Sequence, residues 1–367
     1  MALLKDLSIN GKGNYGIGAS AVEKSDDLYT YLRITDIRDD GTLNLSDLKS
    51  VDDPEAKKYL LAPNDIVFAR TGASTGRNYF YDGSDGVFVY AGFLIKFSLD
   101  PKKVNPLYVK YYCQSEMYRN WVKSFSTGST RGNINAQTLG NMEVPLLTRA
   151  QQDFLVNVLS PLDAKIKLNQ QINDNLQQQA QAIYASMFVD NAEPTWKQGH
   201  LSDFVIVRYG KDHKKLADGI YPVYGSGGIM RHVERPLYDK ESVLIPRKGT
   251  LNNVMYANQP FWSVDTMFYT EMRLPNVAKF VYHFVKAKDL AAMNAGSAVP
   301  SMTTDILNAM EIAIPPATVL EEFESLVAPM YRAMQGNDAQ SKKLADLRNA
   351  LLPKLMSGEI DVSDIQL

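Results

Sequence analysis

The chain repeats itself at a fixed offset. Gly128-Ser129 recurs as Gly296-Ser297, 296 − 128 = 168 positions later, and the same offset relates Leu139 to Leu307 and Met142-Glu143-Val144 to Met310-Glu311-Ile312. It continues through Pro161 and Pro329, Asn169 and Asn337, Leu176 and Leu344, and Ile183 and Leu351. No gap is needed over roughly sixty positions. Upstream the register slips. Arg70-Thr71-Gly72 matches Arg247-Lys248-Gly249 at an offset of 177, and Leu4-Lys5-Asp6-Leu7 matches Leu201-Ser202-Asp203-Phe204 at 197. Each half therefore has a front of variable length and a rear of constant length. Geometry forbids change in the rear and tolerates it in the front, which describes two different binding heads on one symmetric frame.

A chain of 367 residues has room for two such halves, each with its own core. With 45% hydrophobic and 22% charged residues it reads as an ordinary globular protein. The single Cys113 excludes an internal disulfide framework and fits a reducing compartment. No apolar run suits a signal peptide or a membrane span, so a cytoplasmic location is expected. The net charge of −2 does not advertise nucleic acid binding, but its distribution is uneven. Lys102 to Arg131 carries six Lys/Arg against the single acid Glu116, and Leu201 to Thr250 carries nine against six acids. Both basic clusters fall in the fronts.

The rear of each half predicts a long helix. Thr148 to Phe188 contains no glycine and one proline, Pro161. Leu162, Ile166, Asn169, Asn173, Leu176, Ala180, Ile183 and Met187 step by four and three, a heptad seam with two asparagines in its middle. Its copy runs through Met330, Met334, Asn337, Ser341, Leu344, Arg348, Leu351 and Leu355. Ser341 and Arg348 are poor core residues, so Leu347 is expected to carry part of that face. Pro161 and Pro329 are expected at the first turn of each long helix, each preceded by a shorter amphipathic one. Two helices of equal length most simply pack on each other, with the asparagines fixing register; packing of each on its own domain is the alternative.

The fronts predict mixed α/β structure. Asp65–Gly72 and Glu241–Gly249 each read as a buried strand ending in a turn, followed by β-branched and aromatic runs. Helical stretches follow over Pro106–Phe125 and Ala278–Met293, and each front closes with a Gly-Ser loop, Gly128–Asn135 and Gly296–Thr303. Such loops offer backbone N–H groups and hydroxyls to phosphate and sugar, and Arg131 and Asn133 match guanine and adenine edges. Catalytic constellations are missing: there is no Gly-x-x-x-x-Gly-Lys-Ser/Thr loop, no Cys/His metal spacing and no Gly-x-Ser-x-Gly elbow. Asn105-Pro106-Leu107-Tyr108 only faintly echoes an amino-methyltransferase motif and has no glycine-rich cofactor loop upstream, so it reads as a helix start.

The chain resembles a specificity subunit of a type I restriction-modification system over essentially its whole length. The resemblance is carried by Met142-Glu143-Val144-Pro145-Leu146-Leu147 with Gln151-Gln152, by Leu162-Asp163 and the long helix, and by Leu351-Leu352-Pro353-Lys354-Leu355-Met356-Ser357-Gly358-Glu359-Ile360. Asp65 to Gly76 and the Gly128-Ser129-Thr130 loop resemble the body of a target-recognition domain. The second half departs at Ala298-Val299-Pro300 and Leu320-Glu321-Glu322. The resemblance implies a mixed α/β (α+β) fold with an internal pseudo-two-fold repeat: two target-recognition domains, 1–147 and 191–315, separated by two long antiparallel coiled-coil helices in spacer regions 148–190 and 316–358, then a tail, 359–367. It implies that each recognition domain reads half of a split double-stranded DNA target. It further implies two DNA adenine methyltransferase (modification) subunits and restriction or motor subunits as partners. S-adenosylmethionine, ATP and magnesium would sit on those partners, with no cofactor, metal or catalytic residue here. On this reading the DNA-contacting residues of the first half are Arg70, Thr71, Lys123, Ser129, Thr130, Arg131 and Asn133. Those of the second are Arg208, Lys211, Arg247, Lys248, Thr250, Ser297, Ser301 and Thr303. Spacer packing falls to Leu162, Ile166, Asn169, Leu176 and Ile183 with Met330, Met334, Asn337, Leu344 and Leu351. A helix over 161–188 would measure about 42 Å and act as a ruler between half-sites. The uneven basic charge and recurring loops favour DNA; the balanced net charge favours a two-module scaffold on a helical hairpin that binds none.

Overall fold

The computed structural model describes residues 1–45, 47–125, 132–293 and 301–360. The chain divides into two compact units, Met1–Lys167 with Ser341–Leu367, and Leu168–Gln340.

In the first unit a four-stranded antiparallel sheet has the order Asn14–Tyr15, Leu94–Ser98, Asp65–Ala69, Asn78–Tyr81. All five residues of Asp65–Ala69 are buried, because the strand lies centrally with both faces covered. Buried Asp65 is held by Lys96 at 3.0 Å and by Ser98. A second sheet orders Ala21–Val22, Lys49–Val51, Tyr29–Leu32 and Phe88–Tyr90, with the last pair parallel. Ala2–Leu3 pairs with Glu143–Val144.

The second unit repeats this plan. Its antiparallel sheet has the order Val205–Tyr209, Met267–Met272, Ser242–Pro246, Met255–Ala257. Another contains the Asp218–Gly225 and Gly228–Val233 hairpin, with Trp262–Ser263 parallel to the first of these strands. Lys197–His200 pairs with Glu311–Ile314. The structure is thus mixed α/β, and its four-stranded antiparallel sheet recurs in the same strand order, while the second sheet has four strands in one unit and three in the other.

The helices differ from expectation in their ends. The first long helix runs unbroken over Arg149–Ala185 and the second over Ala317–Ser357, so Pro161 and Pro329 lie inside them, not at their starts. An interior proline removes one hydrogen bond and crowds the carbonyl four residues back. Pro161 and Asn157 are both exposed, so water can take that carbonyl. The helices have 37 and 41 residues, about 55 and 61 Å in place of 42 Å. A π-turn over Ser186–Asp190 ends the first and buries Phe188. The Pro106–Phe125 stretch is two helices, Pro106–Tyr112 and Glu116–Lys123, capped by Asn105 and Ser115. The later stretch stops at Lys286.

Candidate nucleic-acid interface

In the first unit the candidate interface is built on the turn that follows Asp65–Ala69. The Arg70 N–H donates to the Phe93 carbonyl at 3.1 Å, and the Arg70 carbonyl accepts from Ile134 at 2.9 Å. Thr71 forms a bridge with Asn133, and the Thr75 hydroxyl donates to the Gly132 carbonyl at 2.9 Å. The chain leaving the Gly-Ser loop is thereby tied to the arginine turn. Asn135 caps the helix Ala136–Gly140 that follows, accepting from Thr138. The Arg70 guanidinium lies over the Tyr15 ring, 5.1 Å from its centroid, and the Tyr15 hydroxyl accepts from the Ala136 N–H. Tyr15 is half-exposed on an edge strand.

The second unit builds the same arrangement with different residues. The Arg247 N–H donates to the Thr266 carbonyl at 2.9 Å, and the Arg247 carbonyl accepts from Met302 at 2.9 Å. Lys248 bridges to Ser301, and Thr303 caps the helix Thr304–Asn308. The Arg247 guanidinium lies 5.3 Å from the centroid of the Tyr209 ring, again on an edge strand. Next to each tyrosine is a glycine against a neighbouring strand. A Cβ at Gly16 would collide with the Tyr90 and Ala91 carbonyls, and one at Gly210 with those of Val264 and Ser263. Only glycine lets the backbones approach so closely. Tyr15, Gly16, Tyr209 and Gly210 escaped the sequence reading. Their signal is the Tyr-Gly dipeptide at an offset of 194, three short of the 197 linking Leu4 and Leu201.

The remaining candidates scatter more. Ser129, Thr130, Arg131 and Ser297 lie outside the described residues. Lys123 ends the helix Glu116–Lys123 and lines a cleft of about 410 Å³ with Arg77, Arg119 and Asp39. Lys211 and Thr250 are exposed. Arg208 points at Glu271, 3.1 Å away, so its charge is offset. Among the described residues no group of His, Cys, Asp and Glu is arranged to hold a metal, and no helix is long and apolar enough to cross a membrane.

The long helices are gripped by their fronts. In the first unit Asp163, on the helix Arg149–Ala185, receives Lys110 at 3.0 Å, the Tyr111 hydroxyl at 2.9 Å and Arg348 at 2.8 Å. Burial alone would raise the Asp163 carboxyl; Lys110 and Arg348 outweigh it and hold it below the usual carboxylate range. Arg348 is therefore an ion-pair partner and not a failed core position, and Leu347, expected to carry part of that face, is exposed. Leu162 and Leu351 pack against a core that includes Leu155, Leu352 and Leu355, while Ile166 and Leu344 are half-buried.

In the second unit Asn169 donates to the Asn337 carbonyl at 3.3 Å and to Gln340 at 2.9 Å. Asn337 donates to Asn173, and Asn173 to Asp338, both at 2.8 Å. Leu176 is half-buried, and Ile183, Met330 and Met334 pack on the core around Phe280 and Phe323. Here the helix Ala278–Lys286 provides the grip. Lys279 bonds Glu324 at 2.7 Å and Glu241 at 3.0 Å. Fully buried His283 contacts Gln181 at 2.8 Å and the Tyr331 hydroxyl at 2.9 Å. Burial pushes its pKa down to about 4.

Comparison with known proteins agrees with this architecture. The family model described as the type I restriction modification DNA specificity domain matches residues 9–178 and 193–321. The chain is 24% identical to the type I restriction enzyme MjaIX specificity subunit of Methanocaldococcus jannaschii, over 70% of each chain. It is 25% identical to the HindI specificity subunit of Haemophilus influenzae, over 84% of this chain and 89% of that one. The crystal structure of the S subunit of a type I restriction-modification system from M. genitalium has the same fold, with a TM-score of 0.55 and 17% identity across 96% of this chain and 95% of the other. With the family match spanning most of its length in two blocks, one per half, this chain belongs to the type I restriction-modification DNA specificity family.

Proposed function

We infer that this chain is the DNA-reading and scaffolding subunit of a type I restriction-modification complex. Each front, 1–147 and 191–315, reads one half of a bipartite double-stranded target. The spacer regions 148–190 and 316–358 give two adenine-methylating modification subunits, and restriction subunits with them, a frame to dock on. The observation that carries this reading is the recurrence of one arginine turn, tied to one loop exit, in two units whose surroundings differ. A common frame with divergent surroundings suits two different base sequences held in related poses. Arg70, Thr71 and Asn133 are the contacts of the first half, with Arg247, Lys248 and Ser301 those of the second; Arg131 and the loop hydroxyls extend them. Lys123, Lys211 and Thr250 add further DNA contacts. The chain itself is non-catalytic and cytoplasmic, and S-adenosylmethionine, ATP and magnesium belong to its partners. The test is to purify it with and without the modification subunit. The chain alone should bind no S-adenosylmethionine and methylate nothing, and the mixture should methylate adenine at one split site. Methyl transfer by the chain alone would overturn the reading.

A further inference from the structure

We propose that Tyr15 and Tyr209 are positioning residues that hold Arg70 and Arg247 flat, so that each guanidinium turns a free N–H edge toward a two-oxygen or oxygen-and-nitrogen acceptor on DNA. The inference rests on the DNA-reading function above and names residues that the sequence repeat did not reveal. Its basis is that one contact occurs in both units although the residues around it differ. The ring-to-guanidinium distances are 5.1 and 5.3 Å, both tyrosines stand on edge strands, and both arginines directly follow a buried central strand. The backbone frame matches as well, since Gly16 and Gly210 donate to Leu94 and Met267, and Ile134 and Met302 donate to the two arginine carbonyls.

Other arginines show what a paired side chain looks like: Arg38, Arg119 and Arg273 bond amide or backbone oxygens. Arg33, Arg77, Arg149, Arg208, Arg231 and Arg348 all meet carboxylates within 3.1 Å. Among the described residues the Arg70 side chain has no hydrogen-bond or carboxylate partner, and its Nε is buried, so its free edge is the pair of terminal nitrogens; Arg247 reaches only the Asp265 carbonyl, at 3.4 Å. A carboxylate would neutralise the charge and occupy the edge. A tyrosine face does neither; it restrains the plane and leaves an edge of the guanidinium open. A planar fork fixed in this way fits guanine O6 and N7 or a pair of phosphate oxygens.

The test uses the full chain with its modification subunit, a set of duplexes varied at each half-site position, and a salt series. Tyr15→Leu should weaken binding about three- to tenfold. Combined with Arg70→Ala it should add little further loss, because the ring acts only through the arginine. Tyr15→Phe keeps the face and should stay within about twofold of the wild type, although it removes the hydroxyl that accepts from Ala136. Tyr209 should behave the same way toward the other half-site. Arg70→Lys and Arg247→Lys keep the charge but not the plane, and should still lose affinity relative to the wild type; these arms hold even where a tyrosine substitution impairs folding. Loss confined to one base pair identifies guanine, and uniform loss with a shallower salt slope identifies phosphate; either supports the proposal. Folded Tyr→Leu proteins that bind and discriminate like the wild type would overturn it, as would fully additive Tyr and Arg losses or lysine variants equal to wild type. Absence of sequence-specific binding by the wild-type complex would instead reject the DNA-reading function itself.

Discussion

His283 makes the second unit acid-sensitive in a calculable way. Its ring is buried between Gln181, Tyr331 and the Tyr184 face, one turn from the Lys279–Glu324 ion pair. Burial disfavours the charged form and takes the pKa from the ordinary 6.5 to about 4. The group is neutral when folded and protonates first in the unfolded chain. Its stabilising effect is therefore complete above pH 6.5 and is lost as pH falls through that window toward 4. The full span corresponds to about 3 kcal/mol, of which about 2 kcal/mol is gone by pH 5. Other groups also titrate, so the measurement is a difference. Urea unfolding of the wild type and of His283→Gln is followed at pH 7.5 and pH 5. Whatever its stability at pH 7.5, the variant should lose about 2 kcal/mol less than the wild type on going to pH 5. Equal losses in the two proteins would show that His283 does not titrate as its burial requires.

Other expectations follow from the helix contacts. Asp163→Asn leaves Lys110 and Arg348 facing each other without an anion and should cost about 2–3 kcal/mol in urea unfolding; adding Arg348→Met should recover part of it. Since the Asp163 carboxyl is held low, that cost should shrink as pH falls through its folded pKa, where the wild type loses the same charge. Asn337→Leu breaks the bond to Asn173 and leaves polar groups of the seam unpaired, so it should lower the urea midpoint while leaving methylation specificity unchanged in the folded fraction. Inserting one heptad after Gln170 and another after Asp338 keeps both helices in phase and adds about 10 Å to each. Mapping of methylated sites should then show the same half-sites with a gap about three base pairs wider; an unchanged gap in a folded, active protein would show that the helices do not set it.

The repeat was legible where the chain allows no insertion. Leu139 and Leu307, and Met142 and Met310, are buried in equivalent places, and Asn135 and Thr303 both cap short helices. These local rules act within a few residues, so the spacing survives in the sequence. The asparagine seam was visible for the same reason, at helical periodicity. Arg348 is legible as a poor core residue but its partner is not, because that partner is Asp163, 185 residues away, and no local pattern carries such a pairing; the expectation that Leu347 takes over this face fails for the same reason. Pro161 was misplaced because proline usually opens helices; its exposed position here makes the lost hydrogen bond tolerable. Tyr15 and Tyr209 were hidden by the sliding register of the fronts, where the offset drops from 197 to 194 and then to 177. The shared Tyr-Gly dipeptide is too short a signal to align them alone, and the recurring backbone bonds do so.

The central claim is that two arginine turns on one repeated frame read two separate half-sites. Adenine methylation by the assembled complex, mapped base by base on random-sequence DNA, tests it most directly. For the wild type the account predicts a single motif of two specified parts with a fixed unspecified gap. Arg70→Ala should relax or weaken one part only, and Arg247→Ala the other only. A contiguous motif would contradict the account, as would two substitutions that alter the same part or leave both unchanged.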